Sequence, residues 1–308
     1  MECQGTLRTD PDGEAVLWLA PLGVPLRLDL QRADDLAAVT AACRGWLGPA
    51  GHAEAELVLT LAQAAGLAGT DAPAFEVRGK LLSLTGSGVL GQACAGRGQA
   101  RCAVSRDWLA APARLRSDVL EPLILFMVTR RGRAPLHAAA IGLGDLAILL
   151  AGPSGAGKSS LALAADRAGL TVLSEDTAYI QLEPELRIWG WPGPVHLLSG
   201  ENPAGHELRW RGGKLKAAIP LAQRPPEEPT ASKAAVCLLA RGETVALERL
   251  SPIEALALMG SLEPGFDLLA DEIHEARRVL LREGAWRLTL SPDPDEAIAV
   301  LAANLARL

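Results

Sequence analysis

The sequence predicts an α/β protein of two domains: a larger one over residues 111–308, built on a mixed sheet, and before it a smaller α+β accessory domain over residues 1–110. Three observations carry this. From Pro135 onward, short apolar runs alternate with helix-spaced runs, as when strands feed helices. A glycine-rich segment, Gly152–Ser159, lies between an apolar run and a helical one. Before residue 110 the apolar runs are short, and Gly and Pro break them repeatedly. The length of 308 residues suits roughly two domains.

In the first part, Ala15–Ala20 and Pro25–Leu30 read as strands around the turn Pro21-Leu22-Gly23. Asp34–Trp46 has helical spacing and stops before Gly48-Pro49. Glu56–Leu61, Ala74–Val77 and Lys80–Thr85 are further strands, and Gly86–Gly98 has loop or hairpin composition. Short strands with free edges would suit recognition of a partner. Ala111–Arg116 joins the parts, and Pro122 opens a helix that ends at Arg131-Gly132.

In the second part, His137–Ile141 and Leu146–Ala151 are strands, and Lys158 to about Ala168 is a helix closed by Gly169. Leu170–Ser174 and Ala178–Leu182 are the next strands. Val236–Ala240 and Thr244–Leu250 read as a hairpin around Arg241-Gly242-Glu243, which makes the sheet mixed. Ser251-Pro252-Ile253-Glu254 is a capping box opening a helix to about Leu262. A helix over about Asp267–Arg282, a strand at Trp286–Leu290 and a helix capped by Asp293 and running to Leu308 complete the chain. Pro192–Ala231, dense in Pro and Gly, reads as one long loop, of the kind that serves as a lid or binding arm.

Composition narrows the function. Hydrophobic residues make up 49% of the chain and charged residues 21%, enough apolar material for a large core. A net charge of −6 argues against a nucleic-acid partner. No apolar run reaches the ~18 residues of a membrane span, and Met1-Glu2-Cys3-Gln4 does not read as a signal peptide. The five cysteines are scattered and never spaced C-x-x-C, as expected in a reducing cytoplasm.

The chemistry concentrates in Gly152-Pro153-Ser154-Gly155-Ala156-Gly157-Lys158-Ser159, which fits G-x-x-x-x-G-K-[ST] in full. Glycines let consecutive amides converge on phosphate oxygens, and the helix start adds its positive end. Gly152, Pro153, Ser154, Gly155, Ala156, Gly157, Lys158, Ser159 and Ser160 are the expected nucleotide cradle. Lys158 faces the β/γ-phosphates of ATP or another NTP, and Ser159 ligates Mg²⁺. Glu175-Asp176 closes the next strand at the same sheet edge. One carboxylate can hold Mg²⁺ while the other accepts the proton of an attacking hydroxyl. His137, in Pro135-Leu136-His137-Ala138-Ala139-Ala140, comes from a strand beside the loop strand and can meet the γ-phosphate. His52, His196, His206 and His274 show no metal spacing and read as ordinary histidines. Arg209, Arg211, Lys214 and Lys216 form a basic stretch around Trp210, fit to add charge to the phosphates or to grip an acceptor.

The order L-H-A-A, then G-P-S-G-A-G-K-S-S, then A-G-L-T-V-L-S-E-D resembles the catalytic domain of HPr kinase/phosphorylase. It is more similar still to the HPr-kinase-related proteins found beside peptide-modification genes, lasso-peptide precursor kinases among them. The resemblance spans Leu136–Leu182 in motifs and Ala134–Leu308 in layout. It implies an HPr-kinase-like (PEP carboxykinase-like) P-loop domain whose site is His137, Lys158, Ser159, Glu175 and Asp176. Glu175 stands where that family usually has Asp, and Ser160 where HPr kinase has Glu.

The expectation is therefore an ATP- and Mg²⁺-dependent phosphotransferase that acts on a Ser or Thr hydroxyl of a peptide or small protein, such as a ribosomally made precursor peptide. Small-molecule kinase and nucleotide-sensing adaptor are the alternatives. The expected partner is the acceptor, with neither nucleic acid nor membrane, and assembly into a homo-oligomer is left open.

Overall fold

The computed structural model describes residues 8–9, 15–48, 55–64, 66, 68–191, 193–198, 205–206, 208–211, 214–222, 229–262 and 269–305, and within these it leaves the side chains of residues 8–9 and 209–211 undescribed. The chain is mixed α/β with several sheets, and it divides into two compact units, Met1–Arg131 and Gly132–Leu308.

The first unit is built on eight strands: β1 (Arg8–Thr9), β2 (Ala15–Leu19), β3 (Leu26–Leu30), β4 (Leu57–Gln63), β5 (Ala74–Arg78), β6 (Leu81–Gly86), β7 (Val89–Cys94) and β8 (Gln99–Val104). They form one sheet in the order β1-β2-β3-β4-β8-β7-β6-β5. β2, β3 and β4 alternate buried and half-buried residues, as a strand with one covered face must. Helix α1 (Leu36–Ala42) follows β3. α2 (Arg106–Leu109) and α3 (Pro112–Arg114) lead through a π-helical turn at Leu115–Leu120 into α4 (Glu121–Val128).

Pro122 stands in the first turn of α4, as read, but the backbone is already helical before it, from Pro112. The π-helical turn just before Pro122 loosens the backbone where the proline ring would otherwise meet a preceding carbonyl. The helices over 106–128 belong to the first compact unit, which runs to Arg131. α4 packs on β7 and β8, which explains the assignment.

The second unit centres on a six-stranded sheet of order β12-β10-β11-β19-β21-β20. Its strands are β10 (Ala139–Leu143), β11 (Leu146–Ala151), β12 (Thr171–Ser174), β19 (Lys233–Arg241), β20 (Ala246–Leu250) and β21 (Ala285–Leu290). β11, β19 and β21 are parallel neighbours, while β10 and β20 run antiparallel to theirs. Apolar residues of β11 point both ways. Ile148 and Leu150 pack with α5 (Lys158–Arg167) and α8 (Pro294–Leu305). Ala147 and Leu149 pack with α6 (Pro252–Gly260) and α7 (Ala270–Leu280). A second sheet, β18-β14-β13-β9, adds to the latter core through Leu136, Ile180 and Ile188; it comprises β9 (Ala134–Leu136), β13 (Ala178–Gln181), β14 (Arg187–Trp189) and β18 (Thr230–Ala231). The Ser251/Glu254 capping box forms as read.

The expected β19–β20 hairpin is absent. β21 lies between the two strands and pairs with both, so their link crosses over it. The expected long loop at Pro192–Ala231 is also corrected. It contains β15 (Val195–Leu198), β16 (Leu208–Arg211) and β17 (Lys214–Ile219), a small antiparallel sheet of order β15-β17-β16, as well as β18. Gly and Pro fall between these strands, and the pairing satisfies the backbone. Residues 223–228 of this segment, and the ends of the 267–282 and 293–308 helices, lie outside the described residues.

Candidate functional site

The site forms where β11 ends. Leu146–Ala151 is buried throughout, which fixes the direction in which the chain leaves the sheet. The loop then turns on Gly155 (φ 81°) and Gly157 (φ 112°), backbone conformations that side chains oppose. A Cβ at Gly152 would come within 2.9 Å of the Ala156 Cβ. Helix α5 starts at Lys158 with no side-chain cap on its first turn, so its amides and the positive end of its dipole meet the loop uncovered.

Lys158 is buried and folds back over the loop. Its Nζ donates to the Gly152 carbonyl at 2.7 Å and the Pro153 carbonyl at 3.2 Å. Burial depresses its ammonium below the usual lysine range; Asp176 opposes that, Lys216 adds to it, and Glu175 opposes it. The charges of Asp176, Lys216 and Glu175 are therefore all felt at the loop lysine. Arg241, at the end of β19, donates from Nη2 to the Gly155 carbonyl at 2.9 Å and braces the loop from the neighbouring strand.

The two carboxylates after β12 differ sharply. β12 is separated from β11 by β10, antiparallel to both, so β11 and β12 end at the same sheet edge. Glu175 has a side chain only 8% exposed. Its Oε1 accepts from the Ser159 hydroxyl at 3.0 Å and from the His196 main-chain N–H at 3.2 Å, and its Oε2 lies 3.2 Å from His196 Nδ1. Asp176 is 45% exposed and stands 3.6 Å from His137 Nδ1.

His137 is not inside a strand as expected. The chain passes from β9 to β10 at residues 137–138, and the Ala138 N–H bonds the Leu136 carbonyl at 2.8 Å. That three-residue turn has His137 at its centre, which is why a histidine flanked by buried apolar residues reaches the site edge.

Of the residues singled out in the sequence, Lys158, Ser159, Glu175, Asp176, His137 and Lys216 converge. Ser160 lies on the first turn of α5 and Lys214 is exposed on β17. Arg209 and Arg211 lie on β16, and their side chains fall outside the described residues. Two residues were missed. His196 comes from β15, whose approach to Glu175 depends on pairing between segments far apart in sequence. Arg241 was read only as a turn residue.

The donor set suits Mg²⁺. A serine hydroxyl and carboxylates are hard oxygen ligands, and Mg²⁺ is commonly held by one or two carboxylates with nucleotide phosphates completing its shell. Among the described residues there is no cluster of three or more His, Cys, Asp or Glu able to hold a metal without such help. No helix is long and apolar enough to cross a membrane, among the described residues.

No protein-family model matches the chain, and no curated protein matches it. Among solved structures, the Hpr(Ser) kinase/phosphatase from Coxiella burnetii is similar at 11% identity, with 57% of this chain and 97% of that chain covered and a TM-score of 0.29.

Proposed function

We propose that the chain is an ATP-dependent kinase that transfers the γ-phosphoryl group to a Ser or Thr hydroxyl of a peptide or small protein. The observation that carries this reading is the convergence of the complete G-x-x-x-x-G-K-S loop with two carboxylates in contrasting environments.

The loop amides and the α5 N-terminus bind the nucleotide phosphates. Lys158 exchanges its two carbonyl partners for β/γ-phosphate oxygens, and Lys216 adds a second cation. Ser159 and Glu175 would hold Mg²⁺, which supplies charge neutralisation at the phosphates when bound. Asp176 is the general base. It is accessible to an acceptor, whereas both oxygens of Glu175 are already engaged by the protein. As the acceptor oxygen bonds to the γ-phosphorus, Asp176 takes the hydroxyl proton, and the bond to the β-phosphate oxygen breaks with its electron pair leaving on ADP. His137 orients Asp176 from 3.6 Å.

The first unit is the candidate for acceptor recognition. Its edge strand β5 exposes most of its residues, Phe75 among them, and an extended peptide can pair with such an edge. The motif resemblance to precursor-peptide kinases makes ribosomally made peptides the first acceptors to try. The test is incubation of the full chain with Mg-ATP and peptides encoded beside its gene. The reading expects a gain of about 80 Da on a Ser or Thr, the mass of one phosphoryl group replacing a hydrogen. A protein that binds Mg-ATP but never transfers phosphate to peptide or small molecule is an adaptor, and the kinase reading fails.

A further inference from the structure

We propose that His196 is a positioning residue: it clamps Glu175 against the Ser159 hydroxyl and so preassembles the cation-binding half of the site. The inference rests on the reading above in that the cation arrives with nucleotide.

His196 is 7% exposed and meets both oxygens of one carboxylate. Its main-chain N–H reaches Oε1 and its Nδ1 reaches Oε2, each at 3.2 Å. A carboxylate only accepts, so Nδ1 carries the proton that faces it. Two donors from one residue fix both the position and the plane of the carboxylate. The Ser159 hydroxyl then shares Oε1 at 3.0 Å.

The clamp is anchored on the helix that it serves. β15 pairs with β17, with His196 opposite Ala218. Beyond β17, the Ala222 N–H bonds the buried Asp166 carboxylate of α5 at 2.7 Å. α5 also carries Ser159. A closed circuit therefore runs from Ser159 through Glu175, His196, β15, β17 and Asp166 back to α5. The same β17 carries Lys216, whose charge is felt at Lys158. The small sheet thus sets the carboxylate and a cation together. Hydrogen-bonding partners behind a metal ligand commonly govern metal affinity by about 10- to 100-fold.

Two variants change the side chain that carries the Nδ1 contact, while the main-chain N–H survives in both. His196→Leu fills the space without a donor, and His196→Asn keeps a donor near the Nδ1 position. Mn²⁺ binding is read by electron paramagnetic resonance with a non-hydrolysable ATP analogue, and ATP binding in EDTA by calorimetry. The expected result for His196→Leu is Mn²⁺ affinity lowered by about 10- to 100-fold with metal-free ATP binding within about twofold of wild type, and for His196→Asn recovery of most of the loss. Wild-type Mn²⁺ affinity in His196→Leu overturns the proposal, as does an Asn variant no better than Leu. Leucine beside a buried carboxylate can impair folding, so His196→Leu/Glu175→Gln, with no charge left there, is the second measurement. It should bind Mn²⁺ no more weakly than Glu175→Gln alone. A further loss of about tenfold would mean that His196 acts elsewhere, and the proposal falls. A wild-type protein that binds neither ATP nor Mn-ATP overturns the kinase reading and this proposal with it, whereas a failure confined to the variants overturns this proposal alone.

Discussion

Glu175→Gln and Asp176→Asn make the same chemical change one residue apart, and the structure expects opposite consequences. Glu175 is buried, with three contacts from Ser159 and His196. In Glu175→Gln the remaining carbonyl oxygen can keep the Ser159 and His196 main-chain donors. The new NH₂ then faces His196 Nδ1, which must shift its proton to Nε2 in order to accept. One charge-assisted bond becomes neutral and the others weaken, at a cost of about 1–3 kcal/mol. For a unit of this size that lowers Tm by about 2–10 °C. Asp176 is nearly half exposed, with His137 at 3.6 Å, so Asp176→Asn should move stability by no more than about 0.5 kcal/mol. It removes the proposed general base, so turnover should fall by about 10²–10⁴-fold while ATP affinity changes little. The assays are thermal melting, ATP calorimetry and phosphate transfer on each variant. An Asp176→Asn protein with wild-type turnover, or a Glu175→Gln protein with an unchanged Tm, would refute the division of roles.

Two further outcomes follow from packing and burial. A Cβ at Gly190 would lie 2.2 Å from the Leu173 carbonyl oxygen, beside the strand end that presents Glu175; Gly190→Ala should cost about 1–3 kcal/mol and weaken Mg-ATP binding, and an unchanged melting curve would count against that packing. Burial pushes the Cys43, Cys102 and Cys237 thiols up to about 12, so at pH 8 alkylation of the native protein should spare them and reach half-buried Cys94. Because these thiols keep their protons in the folded chain to higher pH than in the unfolded one, stability should fall as pH rises from about 9 towards 12, and a flat urea midpoint across that range would contradict it.

Local signals read well in this sequence, and long-range pairing did not. The Leu146–Ala151 strand, the loop, the α5 start and the Ser251 capping box are each written within a few consecutive residues, and each forms where expected. Glu175 and Asp176 were legible as a pair because one strand–helix–strand step places them at the loop's sheet edge. Their different environments were not, because the burial of Glu175 depends on His196 of β15, which pairs with β17 further along the chain. The hairpin expected around Arg241 failed for a related reason. β21 enters between β19 and β20 from a distant part of the chain, and nothing local to Arg241-Gly242-Glu243 announces it. Gly91, in the segment read as loop or hairpin, lies in the hairpin strand β7, where a Cβ would rest 3.5 Å from Leu123 of the covering helix.

The most direct measurement of the central claim is calorimetric titration of Mg-ATP into the full chain and into Lys158→Ala. Lys158 is held at the loop by two carbonyls, so removing it should leave the loop amides in place and delete one phosphate-facing cation. The account predicts one Mg-ATP per wild-type chain and an affinity lower by about tenfold or more in Lys158→Ala. Absence of binding to the wild-type chain, or equal affinity in the two proteins, would contradict it.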